Sequence, residues 1–175
     1  MSTFTQCIAA SVILACADSV FAHETHAHAP APVATHSGHA AHATHTATAE
    51  QQPWGIAGQA TAVTRTITLR MTDDMRFTPK QFTVQLGETV RLRVDNAGQV
   101  MHEIVLGTSD SLKAHASAML QDPGMTHNDA FMAHVPPHNN GELVWTFNRP
   151  GTFDFACLIS GHYQAGMRGS FTVTP

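Results

Sequence analysis

From Arg65 onward, apolar and polar positions alternate with a period of two. Ile67, Leu69 and Met71 alternate with Thr68 and Arg70. Phe82, Val84 and Leu86 follow, then Val90, Leu92 and Val94. Later come Leu143, Trp145 and Phe147, then Phe153, Phe155 and Cys157, and last Phe171 and Val173. Ile104-Val-Leu106 is a short run with no polar partner. Alternation of this kind predicts strands with one buried face. Turn-forming stretches separate them at Leu86-Gly87, Asn96-Ala-Gly98, Asn148-Arg-Pro-Gly151 and Ser160-Gly161. Short strands at this spacing predict an all-β sandwich, and about 110 residues suffice for its core.

Two stretches break the rhythm. Residues 108–141 are long for a sandwich connection. Within them Asp110 is placed to cap a short helix through Ser111–Leu120, closed by Pro123-Gly124. His115 and Met119, four apart, would share a face of that helix. The second stretch, residues 23–60, is low in complexity. His23, His26, His28, His36, His39, His42 and His45 stand there among Ala, Thr, Pro and Ser, with no large apolar residue before Trp54. Such a segment buries too little surface to offset its ordering entropy, so it is expected to be disordered, with weak metal binding through its imidazoles.

Residues 1–22 resemble a signal peptide. An apolar run from Ile8 to Cys16 is too short to cross a bilayer, and Val20-Phe21-Ala22 fits a small-residue cleavage site, although the segment carries no Lys or Arg. A competing reading takes Ile13-Leu14-Ala15-Cys16 as a lipid-attachment site. Cleavage after Ala22 would make His23 the N-terminus, able to chelate Cu(II) with its amine and ring. It would also remove Cys7 and Cys16 and leave Cys157 alone, with no intrachain disulfide partner. The expected domains are therefore 1–22, 23–60 and 61–175, with 108–141 as an insertion in the last.

Composition narrows the chemistry. The net charge of −4 gives no electrostatic footprint for nucleic acid or a membrane surface. Thirteen His and eight Met in 175 residues are side chains suited to copper. Cys157 ends a strand whose inward face carries Phe153 and Phe155, so it points into the sandwich at its rim. The following loop places His162 and then Met167 at steps of five residues. His102, beside the run Ile104–Leu106, supplies a second imidazole. Singly, each residue has an ordinary role: a buried thiol, a surface ring, a packing thioether. Together, two His and one Cys with a weak Met make a type 1 copper set. Thiolate and thioether favour Cu(I), imidazole tolerates Cu(II), and a rigid scaffold limits rearrangement between them.

The segments Asn96–Gly107, with His102, and Gly151–Val173, with Cys157, His162 and Met167, resemble the plastocyanin/azurin family of cupredoxins over roughly residues 64–175. The four-residue gaps on either side of His162 look most like the loop of rusticyanin. The resemblance implies a Greek-key sandwich of about eight strands, copper at one end, and a surface-reaching His162 that passes electrons. One departure is Glu103, where the family often has Asn or Ser; an ionised carboxylate close to the site would favour Cu(II). The lone Cys157 excludes a dinuclear centre. Ala156 and Leu158 beside it exclude the His-flanked Cys of multicopper oxidases, so no oxygen-reducing enzyme is expected.

Two functions fit the four ligands: an electron carrier between periplasmic or membrane partners, and a copper-tolerance protein that binds, or oxidises, excess periplasmic copper. Delivery of copper to an oxidase is a third class with no mark of its own. The abundant His and Met favour tolerance, and the leader and insertion resemble the periplasmic copper-tolerance cupredoxins of the CopI type. The insertion offers His115, Met119, Met125, His127, Met132, His134 and His138 as a candidate second copper site, with Met125-Thr-His127 and Met132-Ala-His134 equally spaced. The plain alternative is that these Met pack under a loop and the His face solvent. The tail His, titrating near pH ~6.5, should lose copper on acidification before the Cys157 site does.

Overall fold

The structure, a computed structural model, describes residues 49–175. The expected signal peptide, the seven tail His and the lipid-attachment alternative at Cys16 lie outside the described residues. Ten strands and one α-helix follow in chain order: β1 Ile56–Ala57, β2 Arg65–Thr72, β3 Arg76–Thr78, β4 Gln81–Gln85, β5 Thr89–Asn96, β6 His102–Gly107, α1 Ser109–Gln121, β7 Met132–Val135, β8 Asn140–Thr146, β9 Gly151–Ala156 and β10 Arg168–Thr174.

They form two five-stranded sheets. One has the order β1-β8-β5-β2-β3 and the other β4-β10-β9-β6-β7. The pairs β2/β5 and β4/β10 run parallel and the rest antiparallel. Leu69, Met71, Leu92, Val94 and Trp145 of the first sheet face Ile104, Leu106, Phe155, Phe171 and Val173 of the second. Each fully buried apolar side chain of this kind contributes roughly 1.5–3 kcal/mol of transfer free energy. The alternation expected from the sequence holds, except at Leu86. That residue lies just beyond β4 and is 46% exposed.

Two more strands are present than the roughly eight expected. The additions are short pieces such as β1 and β3, below the length at which a period of two can be read. β1 also moves the start of the domain. Ile56 and Ala57 pair with Thr146 and Trp145, Trp54 is buried, and the Trp145 indole N–H donates to the Trp54 carbonyl at 3.0 Å. Ordered structure thus begins before residue 61, because one large aromatic ring finds a place against Phe131 and the core.

The helix spans Ser109–Gln121 and is capped by Thr108, not Asp110. The Thr108 hydroxyl accepts from the Ser111 N–H, and the Ser111 hydroxyl satisfies the Thr108 N–H. Asp110 sits in the first turn, where its charge complements the helix dipole. Leu112, Ala116 and Met119 face the sheet and pack with Val105, Met132, Ala156 and Leu158 on its outer side. This second apolar layer explains the uninterrupted run in β6, which is buried on both faces. His102, Ile104 and Leu106 point into the sandwich, whereas Glu103 and Val105 point toward the helix.

Candidate metal centre

At one end of the sandwich, β6 begins with His102, and β9 ends at Ala156, immediately before Cys157. The loop from Leu158 to Met167 then folds on itself. The His162 N–H donates to the Ile159 carbonyl, that of Ala165 to Gly161, that of Gly166 to Tyr163 and that of Met167 to His162. The Cys157 N–H donates to the Met167 carbonyl at 3.0 Å, which closes the loop base. Gly161 and Gly166 adopt φ of +89° and +97°, a region open to glycine at little cost. The Arg76 guanidinium donates to the Ala165 carbonyl and ties the loop to β3.

This arrangement brings three of the four expected ligands into one cluster. The donor atoms of His102, Cys157 and His162 lie within 4.8 Å of one another. The Cys157 Sγ is 3.3 Å from His162 Nδ1, and the two imidazole centroids are 5.1 Å apart. Met167 is fully buried in the same core cluster as Cys157, at the C-terminal end of the loop. His102 and Cys157 are likewise fully buried, whereas His162 is half-buried at the surface.

Sequence reasoning missed Asp73, which lies in the tight turn between β2 and β3. Its Oδ2 accepts from the Gln99 N–H at 2.7 Å, and its Oδ1 lies 3.1 Å from His102 Nε2. The Gln99 bond, helped by His102, holds the Asp73 carboxyl below its ordinary value. An ionised carboxylate can only accept, so Nε2–H of His102 donates to Asp73 and Nδ1 is the ring nitrogen left for a ligand bond. That Nδ1 is buried without a hydrogen-bond partner. Asn96 fixes the approach to His102 by donating to the carbonyls of Val100 and Val135 while accepting from the Gly98 N–H.

Burial pushes the Cys157 thiol up to about 12, and the charge of Glu103 adds to the rise against opposing backbone hydrogen bonds. Without a metal the group is a thiol, and a cation that binds it must displace the proton. Burial, then the neighbouring His102, lowers His162, so its ring is neutral and free to donate a lone pair. A lone pair on His102, another on His162 and one displaceable thiol proton form the donor set that copper requires.

The insertion is rearranged relative to expectation. Met119 and Met132 are core residues under α1, and Met125 is exposed. His138, on the turn after β7, lies with Nε2 3.1 Å from Gln99 Oε1, on the loop that leads to His102. The rings of His115, His127 and His134 do converge, with centroid separations of 4.4 and 5.8 Å along that series. They meet over Glu103, which sequence reading placed near the first centre. The period-two pattern of β6 already carried the signal that His102 and Glu103 face opposite ways.

Residues 63–174 match the family model for copper-binding proteins of the plastocyanin/azurin family. The chain belongs to the plastocyanin/azurin family of copper-binding proteins. Within that family it is 46% identical over 140 residues to the copper-resistant cuproprotein CopI of Rubrivivax gelatinosus, spanning 80% of this chain and 85% of the relative. It is 34% identical to CopI of Pseudomonas aeruginosa, spanning 73% and 86%. Among solved structures, auracyanin B superposes with a TM-score of 0.59 at 23% identity, over 69% of this chain and 95% of the other. Auracyanin from Roseiflexus castenholzii gives 0.56 at 24%, over 65% and 99%. The auracyanin likeness establishes the cupredoxin fold. Copper is the metal of this family, and the unpartnered His102 Nδ1 beside Cys157 and His162 fits it.

Proposed function

We propose that this chain is an exported copper-tolerance protein that holds one copper ion through His102, Cys157, His162 and Met167 and thereby binds excess periplasmic copper. The observation that carries this reading is its likeness to the CopI proteins, which extends over most of both chains and whose name states copper resistance. Bound copper would supply one-electron exchange between Cu(I) and Cu(II). The protein's own residues do the rest. Asp73 orients His102, the self-bonded loop positions Cys157 and His162, and burial keeps water from the thiol.

Export rests on the leader read from the sequence. Among the described residues no helix is long and apolar enough to cross a membrane. Oxidation of surplus Cu(I) is the finer form of the proposal: Cu(I) in solution would give one electron to Cu(II) held in the site, and a one-electron acceptor protein would take that electron on. A second reading, an electron carrier, is favoured by the half-buried His162 beside fully buried partners, since a surface-reaching ligand gives electrons a way out. One experiment separates the two. A deletion strain is grown on graded copper, with wild-type or Cys157→Ser chain returned to it. Copper sensitivity rescued only by the wild-type chain supports tolerance. Normal growth on copper with loss of a respiratory activity overturns it in favour of the carrier.

A further inference from the structure

On the outer face of the second sheet, back to back with the first centre, lies a separate cluster. Glu103 and His134 are register partners across β6 and β7, so their side chains emerge side by side. His127 arrives from the irregular segment after α1, and His115 from the helix itself. Donor atoms of Glu103, His127 and His134 lie within 4.8 Å of one another, and the His115 ring is 4.4 Å from that of His127.

The polar bookkeeping of this cluster is incomplete. Glu103 is 1% exposed, and its Oε1 accepts the Leu158 N–H at 2.8 Å. Its Oε2 is buried with no hydrogen-bond partner; His134 Nε2 stands 2.9 Å away but off the hydrogen-bond direction. Both ring nitrogens of His127 and Nε2 of His115 are also buried and unpartnered. Four such atoms, one of them anionic when ionised, lie in one cluster, and each is destabilising if left unsatisfied. One bound cation satisfies Oε2 of Glu103, Nε2 of His115 and one ring nitrogen of His127, whose other nitrogen then carries the proton.

We propose that Glu103, His115, His127 and His134 form a second metal site, which takes a divalent ion of the Cu(II) and Zn(II) class. Three imidazoles and a carboxylate suit those ions. An ion about 2.0–2.2 Å from Glu103, His127 and His134 requires those three donors to close by on the order of 1 Å, with His115 joining from beside His127. His127 stands in neither helix nor strand, so no helix or sheet ladder holds its backbone in place. The site replaces the Met-containing set expected from the sequence, because Met119 and Met132 are committed to the apolar layer. It rests on none of the ligands of the first centre, although Glu103 joins the two by holding the N–H of the residue after Cys157.

The test uses full-length protein and Cu(II) sulfate as the probe. The thiolate-to-copper band is first saturated. Further copper is then added while bound ions per chain and the electron paramagnetic resonance spectrum are recorded, for wild type, His127→Ala and His134→Ala. All three chains carry the same His-rich tail, so the difference between them isolates this site. Wild type is expected to bind one more colourless Cu(II) than either variant, with nitrogen hyperfine structure, while the band stays intact in all three. Equal stoichiometry and equal spectra would overturn the proposal without touching the first centre, which the band reports separately. A second measurement needs no variant. In wild type loaded with copper and reduced to Cu(I), one equivalent of Zn(II) should shift the ring resonances of His115, His127 and His134 together. Failure of those rings to respond contradicts the site.

Discussion

Asp73 shows how a single residue outside the ligand set decides which nitrogen of His102 is available. Its carboxylate holds Nε2–H and leaves Nδ1 bare in a buried place. Asp73→Asn weakens that constraint, and copper affinity should fall by about 10–100-fold, as read by competition with a chelator, while the fold is retained. Unchanged affinity would mean that the loop alone positions His102. Cys157 gives a pH prediction. Its thiol, pushed up to about 12, is protonated in the metal-free protein at neutral pH. Copper uptake should therefore release a proton from Cys157, and affinity should strengthen as pH rises, by up to about tenfold per unit from this group. Proton release in weakly buffered solution measures it; none would contradict a thiolate bond. The sequence pointed to Cys157 and His162 because they share one short loop, and the structure gathers their donor atoms with that of His102. The sequence hid Asp73, since a contact across 29 residues leaves no local pattern.

The elements divide along the same line between local and distant signals. β6 was readable as an apolar run, and its alternation separates His102 from Glu103 onto opposite faces. The helix was readable from its composition, but its start was misplaced by two residues because Asp110 and Thr108 are both good capping types. Thr108→Ala removes the hydroxyl that accepts the Ser111 N–H and should cost about 1 kcal/mol in chemical denaturation. The thiolate-to-copper band should be unaltered, because the helix covers the sheet face opposite the first centre. A changed band would show that the helix and the ligand loop are coupled. The Met of the insertion are ambiguous in the sequence because a thioether is equally at home on copper and in an apolar layer. Only packing against Val105, Ala156 and Leu158 decides between them.

At the scale of the whole molecule, the sandwich followed from alternation, and the family match over residues 63–174 covers the same span. The N-terminal boundary did not follow, because Trp54 stands alone in a stretch without period. Its burial against Phe131 and the core makes it part of the domain. Trp54→Ala should therefore cost about 3–5 kcal/mol, seen as a lower midpoint of unfolding. A change below about 0.5 kcal/mol would place the segment outside the fold. The central claim is that the cluster of His102, Cys157 and His162 at one end of this sandwich holds copper. A copper titration of the full-length protein tests it most directly. The visible thiolate-to-copper band should saturate at one equivalent and be absent in Cys157→Ser. A protein that binds copper with no such band, or whose band survives that substitution, would contradict the account.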